Sequence, residues 1–342
     1  MLVSFSFFLV FLSVIFFYYS LFLVFFKRFG IIDDNMDLKI KETAFRIKSL
    51  KIQGATAVAR AVISALRDYG TRIQSRDLKA WQNKLSETAS FLLFVRPTEP
   101  MAQNAVKFLF KEIKSGKPKN VDQAKNYLKK AVNDFLILTE DAADLIIQRA
   151  QRIIKSQDNV FTHCHSFLVE QALIQAKKIG KKFQVFNTET RPLFQGHITA
   201  RSLLKAGIKV FMTTDSSSAF LISHHSGKDL MMNKILLGAD AILKQGGVIN
   251  KVGSFGIGLA AHYEKNPLYI VTTLLKFCPK SWIKIEERPA KEIWQKAPKK
   301  LKIINFAFDF IPAQYIKGIV CEAGIIKPNE VKRAVERIYP WI

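Results

Sequence analysis

The sequence predicts an α/β protein, with a helical N-terminal domain followed by a domain built on a parallel sheet. Three observations carry this expectation. Between Asp37 and Lys155, apolar residues recur at three- and four-residue spacing with no convincing strand run among them. Beyond Gln157, short β-branched and aromatic runs alternate with helical stretches, the pattern of βαβ units. Gly180 and Gly207 each stand where a helix would end just before such a run, the expected C-cap position.

Residues 1–35 form the first segment. Residues 1–26 carry no charged side chain and are long enough to cross the hydrocarbon core of a bilayer as a helix. Lys27 and Arg28 follow and would hold the rest of the chain on the cytoplasmic side. There is no basic n-region and no small-residue cleavage site, so the pattern is not that of a removable secretory signal. Two readings stand: a single N-terminal membrane anchor, or a translation start at Met36 that leaves residues 1–35 outside the protein.

Residues 36–155 form the helical domain. Ile47, Leu50, Val58, Val62 and Leu66 mark its first apolar stripe. Further helical stretches run from Trp81 toward Leu93, from Ala102 to Ile113, and from Val121 through Ala150, the last with a break expected near Asn133 or Thr139. Lys114–Asn120, with Gly116 and Pro118, reads as a loop. Gln53-Gly54-Ala55-Thr56 places a glycine inside an otherwise helical run, where it costs about 1 kcal/mol relative to alanine. Arg96-Pro97-Thr98 offers a guanidinium at a bend.

Residues 156–342 form the α/β domain. Strands are expected at Val160–Cys164, Phe183–Asn187, Ile208–Thr213, Val248–Val252 and Leu268–Thr273, in a parallel, Rossmann-like sheet buried on both faces. Ligands of such sheets bind at the carboxyl ends of the strands. Those ends carry Cys164, Glu189-Thr190-Arg191, Asp215-Ser216 and Asn250-Lys251. Gly246-Gly247 marks a tight turn, and Gly253-Ser254-Phe255-Gly256-Ile257-Gly258 lacks the GxGxxG spacing of a dinucleotide site.

Cys164 lies where an apolar run gives way to the helical stretch Phe167–Ile179, with Ser166 placed to cap that helix. A thiol at a helix N-terminus is biased toward thiolate, which makes Cys164 a candidate base or nucleophile; the alternative is a small buried hydrophobe filling a strand end. The three cysteines are far apart and form no CxxC pair, so neither a disulfide framework nor a zinc site is indicated and a reducing, cytoplasmic setting fits. His224-His225 reads as part of an exposed loop, with no third metal ligand at workable spacing. The formal charge of +24 reflects either a polyanionic partner or a general bias toward lysine, since the lysines are scattered rather than clustered.

Six motifs occur together and in order: His163-Cys164; Glu189-Thr190-Arg191-Pro192; Gln195-Gly196; Thr199-Ala200; Gly238-Ala239-Asp240-Ala241-Ile242; and Val248 to Gly253; Lys276-Phe277 and Phe308–Pro312 continue them. In these the chain resembles, from about Ile47 to its C-terminus, the superfamily that unites aldose-1-phosphate isomerases with the α, β and δ regulatory subunits of translation initiation factor 2B. Cys164 and Asp240 match the catalytic cysteine and aspartate of the isomerases. Ser166 and the compact Gln195–Thr199 spacing are more similar to the ribose-1,5-bisphosphate isomerase branch than to methylthioribose-1-phosphate isomerase.

The resemblance implies conversion of ribose 1,5-bisphosphate to ribulose 1,5-bisphosphate in AMP breakdown, with Cys164 as base and Asp240 as an acid whose pKa burial would raise. It further implies substrate binding by Gln53, Gly54, Ala55, Thr56, Arg96, Ser166, Asn250, Lys251 and Lys276, no cofactor or metal, AMP as an activator, a homo-oligomer (dimer or hexamer) and no nucleic-acid partner. One position departs from the pattern: Gln53 stands where the isomerases carry arginine, which removes a charge and a bidentate donor. The alternatives are a non-catalytic regulatory subunit that binds a sugar phosphate or nucleotide, and a methylthioribose-1-phosphate isomerase.

Overall fold

The computed structural model describes residues 36–342 and divides into two compact units. One holds the described residues up to Pro97 together with Ala105–Asp134; the other holds Thr98–Asn104 and Phe135–Ile342.

In the helical unit, α1 (Leu38–Lys48) starts where the Asp37 carboxylate accepts from the N–H groups of Lys39 at 2.9 Å and Ile40 at 3.3 Å. Gly54 does not lie inside a helix, as the sequence suggested. It is the N-cap of α2 (Ala55–Arg72) at φ +87°, after α1 has ended and Leu50 has turned the chain at φ +58°. A left-handed cap is a position glycine fills at no steric cost, so the local grammar is a stop and restart rather than one weakened helix. Val58, Ala59, Val62, Ile63 and Leu66 form the buried face of α2. α3 (Leu78–Phe94) is capped by Asp77, and its buried Trp81 donates Nε1–H to Gly70 O at 2.8 Å. α4 (Pro100–Ser115) and α5 (Val121–Ile153) follow, of which Ala105–Ser115 and Val121–Asp134 belong to this unit and the remainder to the other.

α5 runs 33 residues without the break expected near Asn133 or Thr139. Asn133 faces outward, and Thr139 Oγ1 donates to Leu136 O at 2.7 Å, so neither polar group competes with the helical ladder. Among the described residues no helix is long and apolar enough to cross a membrane, and the anchor expected over residues 1–26 lies outside them.

After its share of α4 and α5, the second unit continues with β1 (Asn159–Thr162), α6 (Phe167–Lys178), β2 (Gln184–Thr188), α7 (Gln195–Lys205) and β3 (Lys209–Thr213). α8 (Ser218–Ile222), β4 (Lys234–Leu237), β5 (Ala241–Leu243), β6 (Val248–Lys251), α9 (Ser254–Tyr263) and β7 (Leu268–Val271) follow. β8 (Phe277–Cys278), β9 (Phe308–Ile311), β10 (Gly318–Cys321), β11 (Gly324–Ile326) and α10 (Val331–Ile338) complete it. Seven strands form one sheet in the order β11-β10-β7-β4-β1-β2-β3, parallel throughout except for the antiparallel edge strand β11. Gly180 (φ +88°) and Gly207 (φ +74°) follow the ends of α6 and α7, as expected. Val160, Val185, Leu236, Val271 and Val320, one from each central strand, share a core with Val169, Ala172 and Leu173 of α6.

The run at Val248 does not join that sheet. β6 is antiparallel to β5 and to β9 in a separate four-stranded sheet, order β8-β5-β6-β9. The cause lies in the connection. Leu243 N–H donates to Gly247 O and Gly246 N–H to Leu243 O, both at 2.8 Å, closing a hairpin through Gly246 at φ +85°. A link this short permits only antiparallel pairing, because a parallel pair needs a crossover of roughly a dozen residues.

Candidate active site

The chain leaves β1 for β2 and β3 on one side of the sheet, then returns to place β4 and β7 on the other. A crevice between outgoing connections opens at the carboxyl ends of strands where the order reverses, here β1 and β4. The turn after β1 carries His163, Cys164, His165 and Ser166; the turn after β4 carries Gly238, Ala239 and Asp240. The two are fitted closely, since a Cβ on Gly238 would lie 2.8 Å from Ser166 Oγ. Ser166 occupies the N-cap position of α6, but its side chain makes no capping hydrogen bond, contrary to the sequence expectation.

Cys164 sits two residues beyond β1 at φ +67°. Its N–H donates to Thr190 Oγ1 at 3.0 Å, and its carbonyl accepts from Thr199 Oγ1 at 2.9 Å. Beside it, the buried His163 ring has Nε2 at 2.9 Å from Val252 O. A carbonyl only accepts, so the ring proton is on Nε2, and Nδ1 is left to accept from Thr188 Oγ1. Thr188 Oγ1 lies 3.1 Å from Thr190 Oγ1, completing a chain from the Cys164 amide to the imidazole. Burial holds the His163 pKa below its usual range, against the opposing pull of Asp215, and this agrees with a neutral ring.

The expected thiolate bias of Cys164 is reversed. Burial pushes its thiol up to about 11; Lys251 and the His165 N–H oppose that rise, while Asp240 and Asp215 add to it. Desolvation of a charge outweighs the helix-terminus contribution here. The same interactions place Cys164 within electrostatic reach of both Asp240 and Lys251.

Asp240 is partly buried, and its N–H donates to Ile249 O at 2.8 Å across β5 and β6. Lys276 donates Nζ–H to Ala239 O at 2.7 Å, next to Asp240. Burial holds the Lys276 ammonium below its usual pKa range, with Asp240, Glu99 and Glu322 pulling the other way. Asn250 Nδ2 donates to the fully buried Ser254 Oγ at 2.9 Å, and Lys251 Nζ lies 5.0 Å from the centre of the Phe308 ring.

The N-terminus of α9 is held by Asp309, whose Oδ2 accepts from Gly253 N–H at 2.7 Å and Phe255 N–H at 3.0 Å. Burial raises the Asp309 pKa to about 6, against those two N–H groups. Gly253 itself, at φ +106°, packs on the imidazole: a Cβ there would lie 3.1 Å from His163 Cε1.

Thus Cys164, Ser166, Asp240, Asn250, Lys251 and Lys276 all lie at the carboxyl edge of the α/β unit or on the small sheet beside it. In the helical unit Gln53 precedes the N-cap Gly54 of α2, which supplies no side-chain cap, Ala55 and Thr56 open that helix, and Arg96 follows α3. His224 Nδ1 pairs with Glu264 Oε2 at 2.7 Å, and no group of three or more metal-binding side chains occurs among the described residues.

The sequence motifs contain His163, Thr190, Thr199 and Asp309, and a strand end carries Asp215, but no role for them follows from the sequence; Thr188 lies outside every motif. Beyond motif membership their signal is position: each lies at or just beyond a strand end, apart from Thr199 in α7 and Asp309 within β9.

The sequence matches the Initiation factor 2 subunit family over residues 51–328. It is 33% identical over 316 residues to a ribose 1,5-bisphosphate isomerase of Methanocaldococcus jannaschii, covering 90% of this chain and 97% of that protein. It is 28% identical to a methylthioribose-1-phosphate isomerase of Bacillus velezensis, covering 86% of this chain and 87% of that protein. The crystal structure of the Pyrococcus horikoshii OT3 translation initiation factor eIF-2B superposes with a TM-score of 0.74 at 25% identity, covering 86% of this chain and 98% of that one.

Proposed function

This chain belongs to the Initiation factor 2 subunit family, and on that premise we propose that it is an aldose–ketose isomerase converting ribose 1,5-bisphosphate to ribulose 1,5-bisphosphate, with Cys164 and Asp240 as its proton-transfer pair. The observation that carries the reading is the juxtaposition of a thiol and a carboxyl at the carboxyl ends of the adjacent strands β1 and β4, within reach of each other's charge.

Isomerisation takes one proton from carbon 2 and delivers one to carbon 1, with enediolate-like charge held between the two steps. Two ionisable groups suffice. Cys164 rests as a thiol at neutral pH, so it takes the carbon-2 proton only after giving up its own to solvent, a loss that Lys251 and the His165 N–H favour. Asn250, Lys251 and Lys276 supply donors and positive charge for phosphate in the α/β unit. In the helical unit we assign phosphate contacts to the backbone N–H groups at Gly54–Thr56 and to Arg96.

The test is incubation of protein begun at Met36 with ribose 1,5-bisphosphate, with and without AMP, and detection of the ketose. Turnover is expected. Binding of a phosphorylated ligand without turnover under either condition would overturn the enzyme reading in favour of a non-catalytic sensor, the alternative that Gln53 supports.

Arg96→Ala is expected to raise KM about tenfold with kcat little changed, because it removes binding that is uniform between ground and transition states. Gln53→Arg is expected to lower KM by restoring a bidentate phosphate donor. Steady-state kinetics on both variants reads these effects, and a fall in kcat at unchanged KM for Arg96→Ala would place that residue in the chemical step instead.

A further inference from the structure

We propose that Thr190 and Thr199 are positioning residues whose hydroxyls clamp the backbone of Cys164 from both sides and so set the direction of its thiol. The inference rests on the isomerase reading above for its consequence in turnover, but the clamp itself is a property of the fold.

Cys164 is a non-glycine residue at φ +67°, a conformation such residues adopt at a cost and keep only where their surroundings over-determine it. Both of its backbone polar groups are satisfied by threonine hydroxyls: the N–H donates to Thr190 Oγ1 at 3.0 Å, and the carbonyl accepts from Thr199 Oγ1 at 2.9 Å. The clamp comes from separate elements, with Thr190 just beyond β2 and Thr199 in α7, and both threonines are buried.

Thr190 is itself held in place. It lies at φ +63°, an outlier for a β-branched residue, and Asp215 secures that turn by accepting from Thr190 N–H at 2.9 Å and from Arg191 N–H at 2.6 Å. The hydroxyl directions agree along the whole chain. Thr190 Oγ1 accepts from Cys164, leaving its proton for Thr188 Oγ1, whose proton in turn goes to the unprotonated Nδ1 of His163. A methyl group in place of either clamping hydroxyl leaves a backbone group of Cys164 unpaired, whereas serine preserves the bond.

The experiment compares Thr190→Ala, Thr199→Ala and the corresponding serine variants in the intact protein. Alkylation of Cys164 by iodoacetamide is followed by peptide mass spectrometry without substrate, alongside kcat and KM on ribose 1,5-bisphosphate. The alanine variants are expected to alkylate several-fold faster and to lose up to about 100-fold in kcat with KM nearly unchanged, the scale of a displaced catalytic group. The serine variants are expected to match the wild type in both readouts.

Cys278 and Cys321 are buried, so their labelling reports global unfolding. If an alanine variant labels there, Thr→Val at the same position, which keeps the branched shape without the hydroxyl, takes its place. Wild-type alkylation rates in the hydroxyl-free variants, or serine variants as impaired as alanine ones, would overturn the clamp. A wild-type protein without turnover would remove the isomerase reading and leave the alkylation result to decide the clamp.

Discussion

Cys164→Ser and Asp240→Asn are each expected to lower kcat on ribose 1,5-bisphosphate by roughly 10²- to 10⁴-fold while leaving sugar-phosphate binding nearly intact. Each substitution removes a proton-transfer group but little ligand contact. The raised pKa of the thiol adds a pH signature. With its pKa pushed up to about 11, Cys164 carries its proton across the neutral range, and its alkylation rate in the free protein should climb steadily as pH rises toward that value. Steady-state kinetics, calorimetric binding and alkylation between pH 7 and pH 10 (approximately the range in which the thiolate fraction grows tenfold per unit) together test the assignment. A Cys164→Ser protein that turns over at the wild-type rate would remove Cys164 from the chemistry, and a thiol that alkylates at a pH-independent rate would overturn its raised pKa.

Gly196→Ala is expected to destabilise the protein by about 3 kcal/mol or more, at the upper end of what overpacking costs. The added Cβ would lie 1.8 Å from Thr188 O, 2.9 Å from Thr188 C and 3.0 Å from Glu189 C, all backbone atoms with no flexible end to yield. The same glycine is tied to that turn by its N–H, which donates to Glu189 O at 3.2 Å, and by its carbonyl, which accepts from Asn187 Nδ2 at 3.0 Å. Relief of the clash must therefore displace Thr188 and Thr190, the supports of Cys164. Urea denaturation checks the loss, with Gly256→Ala as the control. Gly256 lies within α9, where an added Cβ would meet nothing within 4 Å, and alanine there should be neutral or stabilising by up to about 1 kcal/mol. An unchanged midpoint for Gly196→Ala would show that the turn after β2 can move freely.

Much of the fold was legible because local signals and burial agree in the α/β unit. Strands buried on both faces read as apolar runs, and Gly180 and Gly207 punctuate them at positive φ. Errors arose where two structures share one local pattern. The run at Val248 is as apolar as a central parallel strand, and only the hairpin through Gly246 assigns it to the second sheet. Gln53–Thr56 reads as helix by spacing, yet Gly54 caps a new one. In the candidate site, motif order singles out Cys164 and Asp240, whereas the electrostatics of the Cys164 thiol are not visible in it. A helix N-terminus is visible in sequence, but the desolvation that outweighs it depends on what packs around the thiol.

The sequence by itself determined the α/β class and which side chains carry ionisable groups, because periodicity and functional-group chemistry are properties of the chain. It also determined the glycines that end α6 and α7 in the left-handed region, since their place after each helical stretch is a matter of chain order. Only the tertiary structure decided which threonine hydroxyls meet the Cys164 amide and carbonyl, which nitrogen of His163 carries the proton, and that the thiol is held protonated. Those outcomes depend on contacts between residues such as Cys164 and Thr199, or His163 and Val252, that lie far apart in the chain and meet only when β1, β2, β6 and α7 are packed together. A hydrogen bond is set by distances of a fraction of an ångström, and no spacing along a sequence carries that information.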